Sequence, residues 1–285
     1  MFYNIFCFTF AVTNNDVNNN NVNKMHNIGF SKNIEDKHLS VPVQLFSIAI
    51  EKNISRELKL FLFLKIYTSG HFKLSNTFID YACYSLDYKS PKTLKKHLDS
   101  LLKLKWITLN SKSGSYRIIG FAQLSRKLKI TSSKSVEFRY SNLKTFSGFV
   151  AAVTITYLMM VKSLHEKRSR EKKWSRSKNR CPFLYHLPLT YMSKCLSINK
   201  SKVQRLRKEA VNASYILVTK NFYFTKVPLE QVNNFKKYSD KKINDGFIRI
   251  INKQVMLQKP DYIKSNLVFY KKRSLRFVHS CYGKK

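Results

Sequence analysis

Two short basic segments carry the side chains best suited to chemistry. In residues 90–105, SPKTLKKHLDSLLKLK, Lys92, Thr93, Lys95 and Lys96 follow a Ser-Pro start. In residues 199–212, NKSKVQRLRKEAVN, Lys200, Ser201, Lys202, Gln204, Arg205 and Lys208 follow an asparagine. Serine and asparagine are helix N-caps, and proline is tolerated at the first helical position, where its missing N–H costs nothing. Both sets therefore sit near a helix N-terminus. Lysine ammonium groups neutralise phosphates without reading sequence, whereas Gln and Arg can each place two hydrogen bonds on a base edge. The second segment is the better reader, with Gln204 suited to adenine and Arg205 to guanine. The first offers mainly lysine point charges. Taken alone, either charge run is what an ordinary solvated helix face looks like.

The composition changes that weighting. The chain has 285 residues, with 53 Lys+Arg against 16 Asp+Glu and a formal charge of +37. The charged fraction of 24% is ordinary, so the anomaly is the sign of the charge, which calls for a polyanionic partner. The apolar content of 44% is enough to bury a core. The five cysteines, Cys7, Cys83, Cys181, Cys195 and Cys281, are scattered and never spaced CxxC. This points to a reducing cytoplasm, not to a disulfide framework or a zinc knuckle.

Enzyme motifs fail on inspection. The seven glycines form neither GxxxxGK[ST] nor GxGxxG, and no two histidines are spaced HxH. His165-Glu166 does not continue to HExxH, because position 169 is Ser169. His165 and Arg168 spell the HxxR of tyrosine recombinases, with Tyr185 and Tyr191 downstream, but no other part of that pattern is visible. The expectation is a non-catalytic protein without metal, nucleotide or other cofactor. The 16 tyrosines and 21 phenylalanines could stack single-stranded bases, but most belong to the core.

Elements must position the two basic segments. Residues 1–40 read as a disordered Asn-rich leader, or as sequence upstream of a start at Met25. Residues 55–68, SRELKLFLFLKIYT, read as a first helix with Ser55 as N-cap, and Ser75 caps a short second one. The third helix starts after Ser90 with Leu94, Leu98, Leu101 and Leu102 in one stripe. WITLN and YRIIGF follow as strands joined by the turn SKSGS.

Three helices followed by a hairpin, carried by residues 90–121, SPKTLKKHLDSLLKLKWITLNSKSGSYRIIGF, resembles the winged helix-turn-helix family of DNA-binding domains. The resemblance implies that the third helix enters the major groove and that the hairpin touches backbone or minor groove. Lys112 and Arg117 then lie on or near the first wing and Lys220 on the second. The unit recurs, because Ser90 to Trp106 and Asn199 to Tyr215 both span 16 positions. At the same offset of 109, Leu94 matches Val203, Leu101 Ala210, Leu102 Val211 and Ile107 Ile216. Upstream the match fails: the first copy has YSLDYKS before its helix, a residue or two longer than the tight turn of the second. Lys220-Asn221 is expected to turn the second hairpin.

The expected fold is α+β and mainly helical, with a first winged domain over residues 41–122 and a second over 183–285. Residues 123–182 form a linker with a polar start, a long apolar helix and a basic end. Its apolar run, 146–161, falls short of the roughly 20 residues a span needs, so no membrane is expected. That run should pack on a winged domain or on a second protomer, making a homodimer contact. The basic end, 166–180, holds eight Lys/Arg in 15 residues. Beyond Val227 a helix and added strands are expected. The expected partner is double-stranded DNA. At fold level, tandem winged domains resemble plasmid replication initiators, which recruit replication machinery. A transcription regulator, with transcription machinery as its partner, and a sequence-blind basic nucleic-acid-binding protein are the alternatives.

Overall fold

The computed structural model describes residues 37–170, 184–224, 248–251 and 254–271. The chain opens with strand β1 (His38–Pro42) and helix α1 (Val43–Glu51), followed by α2 (Ser55–Tyr67), β2 (His71–Lys73), α3 (Asn76–Leu86) and α4 (Pro91–Lys103). Strands β3 (Ile107–Asn110) and β4 (Ser115–Ile118) form a hairpin, and β4 also pairs with β2, giving the antiparallel order β2-β4-β3. The caps explain the helix starts. The Ser75 side chain accepts from the Phe78 N–H at 3.1 Å, and Pro91 occupies the first turn of α4. At the hairpin tip Gly114 has φ +62°, and the Asn110 side chain accepts from the N–H groups of Lys112 and Ser113. Ser55 opens α2 as its first residue, with Ile54 at the N-cap.

From residue 146 onward the second half follows a similar order, with one added strand. After α5 (Phe121–Lys127), β5 (Lys134–Arg139) and a 3-10 turn (Tyr140–Leu143) come the long α6 (Phe146–Arg170) and β6 (Leu184–His186). Helices α7 (Leu189–Leu196) and α8 (Lys200–Asn212) follow, then β7 (Ile216–Phe224), β8 (Ile248–Ile251) and β9 (Gln254–Ser265). The sheet order is β6-β9-β7, with β8 on the far part of β9. The final strand, β10 (Tyr270–Lys271), returns to β5, completing a third sheet, β1-β5-β10. The whole is α+β, mainly helical, with small antiparallel sheets. The described residues all belong to one compact unit, Glu35–Lys285.

The offset of 109 extends to backbone detail. Helices α4 and α8 have 13 residues each. Both end on a left-handed residue, Lys105 at φ 52° and Ser214 at φ 59°. The Trp106 N–H then bonds to Leu101 O at 2.9 Å, and the Tyr215 N–H to Ala210 O at 3.2 Å. Leu94 and Val203, Leu101 and Ala210, and Ile107 and Ile216 are buried in pairs, whereas Val211 is exposed where Leu102 is half-buried. The turn before α4 has four residues and that before α8 three, so the first is longer by one. Each strand-entry aromatic meets a phenylalanine edge-on. Trp106 meets Phe61 of α2 at 5.2 Å, and Tyr215 meets Phe149 of α6 at 5.3 Å.

Three local expectations are corrected. His38–Ser40, placed in the leader, are paired with Glu137–Arg139 in β1-β5. The polar stretch 123–140 contains most of α5 and all of β5, whose Val136 and Phe138 point inward at period two. Lys220-Asn221 makes no turn: β7 runs through them with a bulge between Thr219 and Asn221, and its partner is β9, more than 30 residues on. Beyond 227 the described residues form the added strands β8, β9 and β10, and the helix expected there would lie in 228–247 or 272–285, outside the described residues.

Helix α6 lies along α1 and α8. Its stretch Phe146–Glu166 is long and apolar enough to cross a membrane by length and composition, and 72% of its most apolar window is buried inside the protein. The apolar run is thus taken up within the chain. A Cβ on Gly148 would lie 2.4 Å from Ala213 Cβ and 2.7 Å from Glu209 O, so glycine is what lets α6 approach the end of α8. Gly148→Ala should cost about 1–3 kcal/mol by overpacking, and Phe149→Ala about 3–5 kcal/mol by truncating a buried ring. Urea unfolding of each variant measures both. Wild-type stability in either would refute the packing described.

Candidate nucleic-acid interface

The buried stripe of α4, Leu94, His97, Leu98 and Leu101, turns the opposite face outward. Lys92, Lys95 and Lys96 are exposed on that face. Thr93 is half-buried, with its hydroxyl 3.3 Å from Ser90 Oγ, so it serves the helix start. Under the helix, His97 Nδ1 lies 3.1 Å from Glu57 Oε1 on α2, and Tyr88 stacks on the imidazole. This polar pair ties α4 to α2 inside an otherwise apolar contact.

In α8, Val203 and Ala210 are buried, while Lys200, Ser201, Gln204, Arg205 and Lys208 are exposed. Lys202 is half-buried, and its backbone N–H donates to the Asn199 side chain at 2.7 Å. By the 109 offset Gln204 stands where α4 has Lys95, and Arg205 where it has Lys96. The same two helical positions thus carry point charges in one copy and hydrogen-bonding forks in the other. Arg205 Nε is 3.8 Å from Glu209 Oε1 one turn on, an exposed pair that biases the guanidinium along the helix.

On the strands, Lys112 sits at the exposed tip of the β3-β4 hairpin. Arg117 is exposed on β4, in register with Thr108 of β3 and His71 of β2. Lys220 lies at the β7 bulge, 3.6 Å from Asp261 Oδ2 on β9. Among the described residues, Lys92, Lys95, Lys96, Lys112, Arg117, Lys200, Lys202 and Lys208 form no ion pair within the chain. Their charge is therefore available to an external anion.

Sequence reasoning missed Arg207 and Asp261. Arg207 Nη2 donates to Asp261 Oδ2 at 2.7 Å, and both side chains are nearly buried, 12% and 9% exposed. This pair joins α8 to β9 from a nearly buried position on the helix. The signal was weak: an Arg inside a basic run, and one acid some 50 residues later.

Tyr185 and His186 of β6 meet α6 in a polar cluster. The Tyr185 hydroxyl donates to Glu166, Lys162 Nζ is 2.5 Å from Glu166 Oε1 and 3.1 Å from His186 Nε2, and the ammonium lies over the Tyr185 ring. The Lys162 and Tyr185 hydrogen bonds hold the Glu166 carboxyl below its usual range. Burial, followed by a hydrogen bond with Cys195, pushes Tyr191 up to about 12. The Arg168 side chain and the basic run 171–180 lie outside the described residues. Among the described residues, no three His, Cys, Asp or Glu side chains gather as a metal site.

Breaking a buried pair on one side leaves an uncompensated charge, so Asp261→Asn should destabilise the protein by about 3–5 kcal/mol. Changing exposed Lys208 to Ala should stay within about 0.5 kcal/mol of wild type. Urea unfolding of both variants is the check, and equal effects would show that the Asp261 pair does not hold α8 to β9. No family model, curated protein or solved structure matches the chain.

Proposed function

We propose that the chain is a sequence-specific double-stranded DNA-binding protein with two winged helix-turn-helix units, α2 to β4 and α6 to β9, that acts without catalysis. One observation carries this reading: the order helix, strand, helix, helix, strand is found twice, and in each unit a later strand, β4 or β9, pairs between the other two, the second unit adding β8 before β9. In proteins of that fold the helix before the hairpin enters the major groove. Helices α4 and α8 hold that place here, and each turns outward lysines, Lys92, Lys95 and Lys96 on one and Lys200 and Lys208 on the other, that pair with no carboxylate among the described residues. The charge of +37 supplies the sequence-independent part of binding, and Gln204 and Arg205 the base-reading part.

The proposed role is that of a replication initiator of a plasmid or other mobile element, binding repeated origin sequences in the cytoplasm and recruiting replication machinery. A transcription regulator would use the same interface. Replication of a test plasmid only when the intact protein is supplied supports the initiator, and origin-independent maintenance favours the regulator.

Selection of bound sequences from a random duplex library at about 150 mM salt tests the function itself, since counterion-driven binding is suppressed there. A two-part motif is the expected result. No enrichment, with binding only at low salt, would overturn it in favour of a sequence-blind basic protein. Arg205→Ala should weaken binding to the selected site by about 1–3 kcal/mol and relax preference at one base. Lys95→Ala should weaken all sequences alike and lower the salt slope by about one. Titrations over a salt series separate the two.

A further inference from the structure

We infer that the two DNA-contacting units are locked at one separation by a shared core, so that the two halves of the target site have a single permitted spacing. This rests on the proposed DNA-binding function and adds the geometry of the target.

The observation is that no free segment joins the units. Residues 119–145, which run from β4 to α6, hold α5, β5 and the 3-10 turn and are hydrogen-bonded to both sides. Lys127 Nζ donates to Leu104 O at the end of α4 at 2.7 Å, and the N–H groups of Thr131 and Ser132 donate to Gln44 Oε1 of α1 at 3.0 and 3.1 Å. The 3-10 turn then bridges the halves. The Tyr140 hydroxyl donates to Ser85 Oγ of α3 at 2.9 Å, while Asn142 Nδ2 donates to the Tyr215 hydroxyl at 2.8 Å at the entry of β7. One residue on each side of this short turn thus reaches a different unit.

The core is common as well. Phe149 of α6 meets Phe46 of α1 at 5.6 Å, Phe138 of β5 at 5.4 Å and Tyr215 at 5.3 Å, all edge-on. Phe46, Phe138 and Phe149 are at most 1% exposed. Helix α1 also packs on α7, and β10 pairs with β5. The cluster holds the second unit to α1 and β5, and α2 of the first unit packs in turn on α1, the 3-10 turn and α6, so turning one unit against the other would break these contacts, which a flexible tether would not require. Each base pair inserted between half-sites moves one of them about 3.4 Å along the axis and rotates it, and a full turn of 10–10.5 base pairs restores only the rotation.

The test uses the intact wild-type protein and the two-part motif it selects, with spacers lengthened by 2, 5 and 10 base pairs. Every insertion, including that of a full turn, should weaken binding by about tenfold or more, down to the affinity of a single half-site. Recovery at a full turn but not at half a turn would mean a hinged connection and overturn the inference, as would indifference to all insertions, which would mean that one unit alone engages the duplex. A protein that selects no motif sinks the DNA-reading function and this inference with it. A selected motif with spacing tolerance sinks the inference alone.

Discussion

The edge-on packing of Phe149 against Phe46, Phe138 and Tyr215 is the contact on which the rest of the structure depends. One ring on α6 touches a helix of the first half, a strand of the connecting segment and the strand entry of the second half. Its neighbour Gly148 removes the Cβ that would hold α6 away from α8. A large side chain and a missing one at adjacent positions therefore seat α6 against α8 while facing α1. Buried aromatic pairs of this kind add about 0.5–1.5 kcal/mol beyond the area they cover.

Around this contact the protein builds the same local unit from unlike sequences. Helices α4 and α8 share length, C-terminal geometry and the placement of inward residues, because these are set by the backbone and by burial. Their outward faces have diverged. Positions holding Lys95 and Lys96 in one copy hold Gln204 and Arg205 in the other, and burial places no demand on either pair. Inward polar contacts have diverged as well, with His97 on Glu57 under α4 and Arg207 on Asp261 beside α8. Each fixes its helix to a neighbour of the same unit, and each uses a carboxylate that the chain has in short supply.

That shortage shapes the surface. Glu57, Glu166 and Asp261 are engaged with partners inside the structure, so they do not screen the lysines of α4 and α8. A formal charge of +37 left largely outward would repel itself in any compact state, which the apolar content offsets by burial. The same imbalance that weakens the fold electrostatically leaves its surface strongly positive.

Much of this was legible in the linear chain. Ser75, Pro91 and Asn199 mark helix starts through local backbone chemistry, the leucine stripe of residues 94–102 marks a buried face, and Gly114 marks a hairpin tip, because each acts within a few residues of itself. The repeat was legible for the same reason. The pairing of the second sheet was not: β7 runs on past Lys220-Asn221 to Phe224, and its partner β9 lies beyond residue 250 with β8 between them in the chain, a pairing no local signal announces. Nor was the status of the segment between the units, where α5 and β5 are folded by contacts with α4, α1 and β1. The Arg207–Asp261 pair and the bridge from Tyr140 and Asn142 to opposite halves join residues up to about 70 positions apart. Amino-acid order sets propensities, charge and local caps. Which distant faces meet, and hence whether two similar units are tethered or fused, is set by how α6 packs, since burial rewards whatever surface arrives beside it.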